Sequence, residues 1–277
     1  EKTVITAIRH DIAIYAIHTN LDNIANGVNG RIAAKLGLTA ARVLHPKENT
    51  LKKLYTFVPL EQAGKVRDAI FSAGAGHIGQ YSECSFNTAG TGTYTPGNAA
   101  KPFAGKPGIP HQEPEIKMEM VFPAWLEKQV LAALKAAHPY EEVAYDILSL
   151  NNPHPETGAG LIGELAAPMP EKAFLDHLRQ VFKVPVVRHS MPRGLPVKKV
   201  AVCGGAGSFL ISKALASGAD AFVTADLKYH EFFDANGGLL LCDVGHFESE
   251  QYTTDLLAEV LRQKFPTFAV LKTEVKT

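Results

Sequence analysis

Cysteine is scarce in this chain: three residues in 277, Cys84, Cys203 and Cys242, widely spaced and with no C-x-x-C pair. They read as free thiols in or beside buried apolar strands in a reducing cytosol. No base or cation stands beside any of them in sequence, so no thiolate nucleophile is read. Net charge is missing too, because 28 Lys and Arg balance 28 Asp and Glu. That removes the electrostatic case for binding nucleic acid or a membrane surface. No apolar run approaches the ~20 residues of a membrane span. The N-terminus lacks the basic and apolar regions of a signal peptide, and a cytoplasmic location is expected. Glu1 opens into what reads as mid-helix, without an N-cap or a methionine, so a segment upstream is expected.

What is present is α/β texture at both ends of the chain. Residues 1–47 read as a helix, a buried strand (Ile12–Ile17), a polar loop and a helix from Val28 to Leu36 that stops at Gly37. From about residue 151, KKVAVCGGAGSFLISKALAS, DAFVTADLKYHEFFDA and GLLLCDVGHFESEQYTTDLLAEVLRQKF each read as strand, loop and helix, and FAVLKTEV as a last strand. Apolar runs this continuous belong to strands covered on both faces. The middle differs. LKKLYTFVP and IKMEMVFP are strands ending in proline, each followed by a helical pattern and a further strand. GHIGQYSECSF and GTYTP read as antiparallel strands around a glycine turn, TAGTG, and 96–114 as an irregular Pro/Gly-rich loop. Two strand–helix–strand units predict a ferredoxin-like α+β sandwich. The expected fold is thus a discontinuous α/β core, 1–50 and 151–277, interrupted by an insert at 51–150.

Three strands of the core are expected to end alike. His18 and Asp22 follow the first, Asp226 and His230 the second, His246 and Glu250 the third. In open α/β sheets, sites form beyond the strands' carboxyl ends, and residues four apart share a helix face. Imidazole and carboxylate are the ligands of zinc, manganese or iron, and paired ions activate water. The competing reading is of loop formers and helix caps, since the chain holds 11 histidines. Asp226 and His230 are open to a role in orienting ligands. GGAGS (Gly204 to Ser208) reads as a tight strand–helix turn or as an anion cradle; it matches neither the dinucleotide nor the Walker pattern. HPYEEVAYD reads as a capping turn with solvated acids.

Taken together, AIYAIHTNLDN, TADLKYHEFFDA and DVGHFESEQY resemble the Nif-three-like family of dinuclear metal-centre proteins, also catalogued as GTP cyclohydrolase I type 2 homologues. YSECSF, GTGTYTPG, KPFAGKPG and HPYEEVAYDI resemble the insert of its longer bacterial members, which is similar in fold to PII and CutA proteins. The resemblance implies that His18, Asp22, His246 and Glu250 hold two divalent ions per chain, zinc, manganese or iron. It also implies a ring-like homohexamer. The family's upstream His-His-Pro motif is absent here; the His-Pro pairs at His45, His138 and His154 stand in other contexts. Where the family has TGD, this chain has Thr224-Ala225-Asp226. The expected activity is hydrolysis of a small nucleotide or phosphate-containing molecule, with His230 as candidate proton shuttle. The rival expectation is a non-catalytic metal-binding or regulatory assembly whose insert senses a ligand.

Overall fold

The computed structural model describes residues 1–273. Its strands are β1 (Thr39–Pro46), β2 (Leu51–Pro59), β3 (Phe86–Tyr94), β4 (His111–Pro123), β5 (Tyr145–Leu150), β6 (Gly158–Met169), β7 (Arg188–His189), β8 (Val197–Ala206), β9 (Ala221–Ala225) and β10 (Leu240–Asp243). The chain divides into two compact units, one made of Glu1–Pro46 with the residues from Glu156 on, the other of Lys47–Pro155.

The first unit is α/β. Its sheet runs β1-β6-β8-β9-β10-β7, with β8, β9 and β10 parallel and the flanking pairs antiparallel. Strand alternation sends successive residues to opposite faces. Val200, Val202, Ala221, Val223, Leu240 and Cys242 pack on one side with Val28 and Ile32 of the helix Val28–Lys35 and with Phe174, Leu178 and Phe182 of the helix Glu171–Phe182. Ala201, Cys203, Phe222 and Leu241 pack on the other with Leu210, Ile211 and Ala214. Both faces are therefore dry, as the unbroken apolar runs require. Gly37 ends the first of these helices with φ +71, a backbone region that glycine enters without strain.

The second unit is ferredoxin-like. Its strands lie in the order β3-β4-β2-β5, all neighbours antiparallel. Helices Ala63–Ser72 and Glu127–Ala137 cover one face, closing a core of Leu54, Val58, Val66, Ile70, Met118, Met120, Phe122, Val130 and Leu134.

Three expectations need correction. Ile12–Ile17 is not a buried strand: it is irregular, with Ile12, Ile14 and Tyr15 56%, 65% and 87% exposed, because its backbone finds no strand partner among the described residues. TAGTG is not a turn. It lies inside β3, where Gly90 and Gly92 pair with Glu115 and Glu113 of β4, and GHIGQYSEC before it is irregular apart from an Ile78–Tyr81 bridge. FAVLKTEV forms no strand over 268–273, and its remainder lies outside the described residues. Of the thiols, Cys203 and Cys242 are buried as expected, whereas Cys84 is only partly covered.

A charged clamp closes the first unit beside β8. Asp220 accepts the Lys198 and Lys199 amides at 3.0 and 2.8 Å and the Arg193 guanidinium at 3.0 Å. Burial pushes the Asp220 carboxyl up, but these bonds outweigh it and hold the carboxyl below its ordinary value. A carboxyl lowered on folding contributes stability above its unfolded pKa and loses it as the pH falls through the folded one. Asp220→Asn is therefore expected to cost about 1–2 kcal/mol at neutral pH, as for hydrogen bonds to charged groups at a partly exposed site. The difference from wild type should shrink below about pH 4. Urea unfolding at pH 7 and pH 3 measures both.

Candidate metal centre

The carboxyl ends of β8, β9 and β10 share one edge of the sheet, and Asp226, His246 and Glu250 meet there. After β10, Gly245 turns with φ 90 into the short helix His246–Glu250. A side chain at 245 would strike the Glu248 carboxylate, 2.2 Å from where its Cβ would sit. One helical turn sets His246 and Glu250 on the same face, with Nε2 and Oε1 3.5 Å apart. After β9, Asp226 adopts a left-handed backbone, φ 56, and its Oδ2 lies 2.7 Å from His246 Nδ1. In the neutral ring Nδ1 donates that bond, and Nε2 is left facing Glu250. His18 stands at the N-terminal boundary of the short helix Thr19–Asp22, with no side-chain capping bond, and that helix carries Asp22.

Two residues that spacing did not single out lock this edge. Asn29, 2% exposed, donates to the Asp22 carbonyl at 2.9 Å and accepts the Gly204 amide at 2.9 Å. Ser249, also 2% exposed, accepts the Gly205 amide at 2.9 Å and donates to the His246 carbonyl at 2.8 Å. The signal for Asn29 was available: it is a polar residue on the face that Val28, Ile32 and Ala33 bury. Both amides are thus spoken for, and Gly204, Gly205 and Ala206 of GGAGS lie in the last residues of β8, so that only Gly207 separates the strand from the helical turn that opens at Ser208. Gly205, φ +64, lies against the cluster: a Cβ there would sit 2.5 Å from Glu250 Oε1 and 3.2 Å from His246 Nε2.

The cluster is electronegative. Burial raises the Asp22 carboxyl, with His18 and His246 opposing. Burial also raises Glu250; His246 opposes it, while Asp22 adds to the rise. The bond to Asp226 raises the His246 imidazole against the effect of its burial, with Glu250 and Asp22 adding to the rise. Burial pushes the Cys203 thiol up to about 12, and the charges of Asp22 and Glu250 reinforce it, so that thiol is inert. Three carboxylates thus share two imidazoles in a half-buried site, an arrangement relieved by a cation.

The donor types, imidazole nitrogen and carboxylate oxygen, suit a borderline divalent ion. As placed, no three His, Cys, Asp or Glu side chains among the described residues form a ready metal-holding group. His246 and Glu250 converge, while Asp22 and His18 act on them through their charge. His230 stands apart, exposed on the short helix Tyr229–Ala235, and contributes to none of the shifts at Asp22, His246 or Glu250. The left-handed turn at Asp226 keeps the first member of that pair at the edge.

The Asp226–His246 bond can be tested alone. Asp226→Asn removes the largest cause of the rise and leaves burial, which lowers the imidazole, against the weaker pull of Glu250 and Asp22. The His246 pKa, followed by histidine-ring NMR, should move down toward its ordinary value near 6.5. An unmoved titration would contradict the geometry.

With this geometry in view, the chain was compared with known proteins. Residues 1–277 match the model of the family described as Duf34/NIF3 (NGG1p interacting factor 3). A Bacillus subtilis protein named GTP cyclohydrolase 1 type 2 homolog is 44% identical over 242 residues, 87% of this chain and 65% of that protein. A Mycobacterium tuberculosis protein of the same name is 40% identical over 264 residues, 93% of this chain and 70% of that one. The chain therefore spans about two thirds of the length of these relatives. Among solved structures, a Bacillus cereus protein related to NIF3 superposes with a TM-score of 0.80 at 40% identity, over 95% of this chain and 71% of that one. A Staphylococcus aureus protein, SA1388, gives 0.67 at 26% identity, over 94% and 68%. A match along the whole chain, with the same fold in a relative at 40% identity, shows that the chain belongs to the Duf34/NIF3 family.

Proposed function

We propose that the protein is a metal-dependent hydrolase acting on a small nucleotide or phosphate-containing molecule. His18, Asp22, His246 and Glu250 are the residues assigned to hold two divalent ions, zinc, manganese or iron. The observation that carries this reading is that His246, Glu250 and Asp226 stand together at the carboxyl edge of the parallel strands, with Asp22 and His18 close enough for their charges to act on Glu250. The relatives' name supports a phosphate-bearing substrate. Bound there, the ions would supply a hydroxide nucleophile at neutral pH and offset charge growing on an ester or phosphate oxygen.

The chain's own part is positional. Asp226 fixes the orientation of the His246 ring. Ser249 and Asn29 fasten the His246–Glu250 and Asp22 backbones to the Gly204–Gly205 turn. The absent side chain of Gly205 lets the Glu250 carboxylate and the His246 ring pack against the β8 backbone. His230, the candidate for proton transfer, lies outside this cluster, and the reading does not depend on it. The family resemblance extends the proposal to a homohexamer in the cytoplasm. No helix among the described residues is long and apolar enough to cross a membrane.

Turnover of a generic phosphodiester, bis(p-nitrophenyl) phosphate, tests the reading. With manganese or zinc supplied, Asp22→Ala and Glu250→Ala should each lower kcat/KM by roughly 100-fold, the scale seen when a metal site is disturbed. Sedimentation should be unchanged. Turnover that survives both substitutions would contradict the mechanism. Metal retention without turnover in the wild type would leave a non-catalytic metal-binding assembly.

A further inference from the structure

The open face of the second unit's sheet holds a cavity of about 640 Å³, within the size range of small-molecule sites. Alternation explains where it lies. Leu54, Val58, Met118 and Met120 point to the helices, so Phe57, Glu115 and Lys117 point the other way. Register places Thr88, Gly90 and Gly92 on that same open face, opposite Lys117, Glu115 and Glu113. The two glycines create the space. A Cβ at Gly90 would touch nothing within 4 Å, and one at Gly92 would fall 2.2 Å from Glu115 Oε2.

Inside this space stands the carboxyl group of Glu115. Glu115 is 8% exposed. Its Oε1 accepts the Tyr140 hydroxyl at 2.7 Å, while Oε2 lies over the bare backbone of Gly92. Tyr140 is held in place from behind. His138, 7% exposed, accepts the Tyr140 amide on Nδ1 at 3.1 Å and donates from Nε2 to the Phe57 carbonyl at 3.0 Å. Burial lowers that imidazole against the Phe57 bond and the charge of Glu115, in keeping with a ring that accepts on Nδ1 and donates from Nε2. The HPYEE stretch is thus a capping turn, as expected, and it also positions a hydrogen-bond donor onto Glu115.

Aromatic rings wall the cavity. Tyr140 meets Tyr94 edge-on at 6.0 Å between centroids and Phe103 at 6.1 Å. Glu141 and Glu142 also line it, and Glu141 accepts the Lys101 amide at 2.8 Å, fastening the proline-rich loop beside it. The one basic side chain of the lining, Lys117, is engaged elsewhere, 3.1 Å from Glu119 and 4.5 Å from the centre of the Tyr55 ring. A buried carboxylate between aromatic faces, with further acids beside it, repels phosphates and carboxylates and attracts a cation.

We infer that this cavity binds an organic cation: an amine, amidine or protonated nitrogen heterocycle carried on an aromatic or apolar body. The cationic N–H group donates to Glu115, and the body lies against Phe57, Tyr94, Phe103 and Tyr140. The proposal is independent of the metal centre.

Calorimetric titration of the full chain with benzamidine, its neutral analogue benzamide and its anionic analogue benzoate tests it. Benzamidine is expected to bind at least tenfold more tightly than benzamide, and benzoate not at all. Glu115→Gln should weaken benzamidine at least tenfold. Gly90→Leu, which fills the cavity from an extended, unstrained position, should abolish binding with the thermal unfolding midpoint unchanged. No benzamidine binding, equal binding of benzoate, or binding that survives both substitutions would overturn the inference. So would a change in sedimentation on Gly90→Leu, which would mean that a second copy of the chain covers this face.

Discussion

Two backbone amides, those of Gly204 and Gly205 where β8 ends, hold the candidate centre together. Each donates to a buried side chain from a different part of the chain, Asn29 from the first helix that covers the sheet and Ser249 from the helix after β10. A buried amide left without a partner costs more than a hydrogen bond gains, so both side chains are required where they stand. Through them Asp22, far away in sequence, and the His246–Glu250 pair are brought to one edge. Thr224 completes the lock by donating to the Gly205 carbonyl at 3.1 Å. The edge is rigid because its polar backbone is satisfied by protein.

Rigidity there has an electrostatic consequence. Asp22, Asp226 and Glu250 are held near one another with His18 and His246 to offset them; burial raises Asp22 and Glu250, and the charge of Asp22 raises Glu250 further. A protein that needed only stability would replace such a group with apolar contacts. On the proposed function, a bound cation would offset that charge. In the second unit the same logic recurs on a smaller scale, where Glu115 is kept buried among aromatic rings by a neutral histidine and a tyrosine hydroxyl.

Much of the fold was legible because period and punctuation agree with it. LKKLYTFVP is β2 residue for residue, and the helical spacing at Val66 and Ile70 marks side chains that are fully buried. The failures share a cause: local composition does not reveal what the backbone will pair with. Ile12–Ile17 has the residues of a strand and no partner among those described. TAGTG has the residues of a turn, yet its glycines serve a strand whose open face needs empty space. Four-residue spacing pointed to three His–carboxylate pairs, but spacing is blind to backbone direction. The left-handed residue at Asp226 keeps Asp226 at the edge, and His230 contributes nothing to it. Ser249 carries no motif that marks a buried amide partner, whereas Asn29 is marked only by being polar on a face that is otherwise buried and apolar.

Metal content tests the central claim most directly. The chain is incubated with zinc, manganese or iron, freed of loosely held ions by gel filtration, and analysed for metal per chain. The account predicts about two tightly held divalent ions per chain, falling by at least half on Asp22→Ala or Glu250→Ala. No retained metal in the wild type, or retention indifferent to both substitutions, would contradict it and leave His18 and Asp22 as residues of a polar loop.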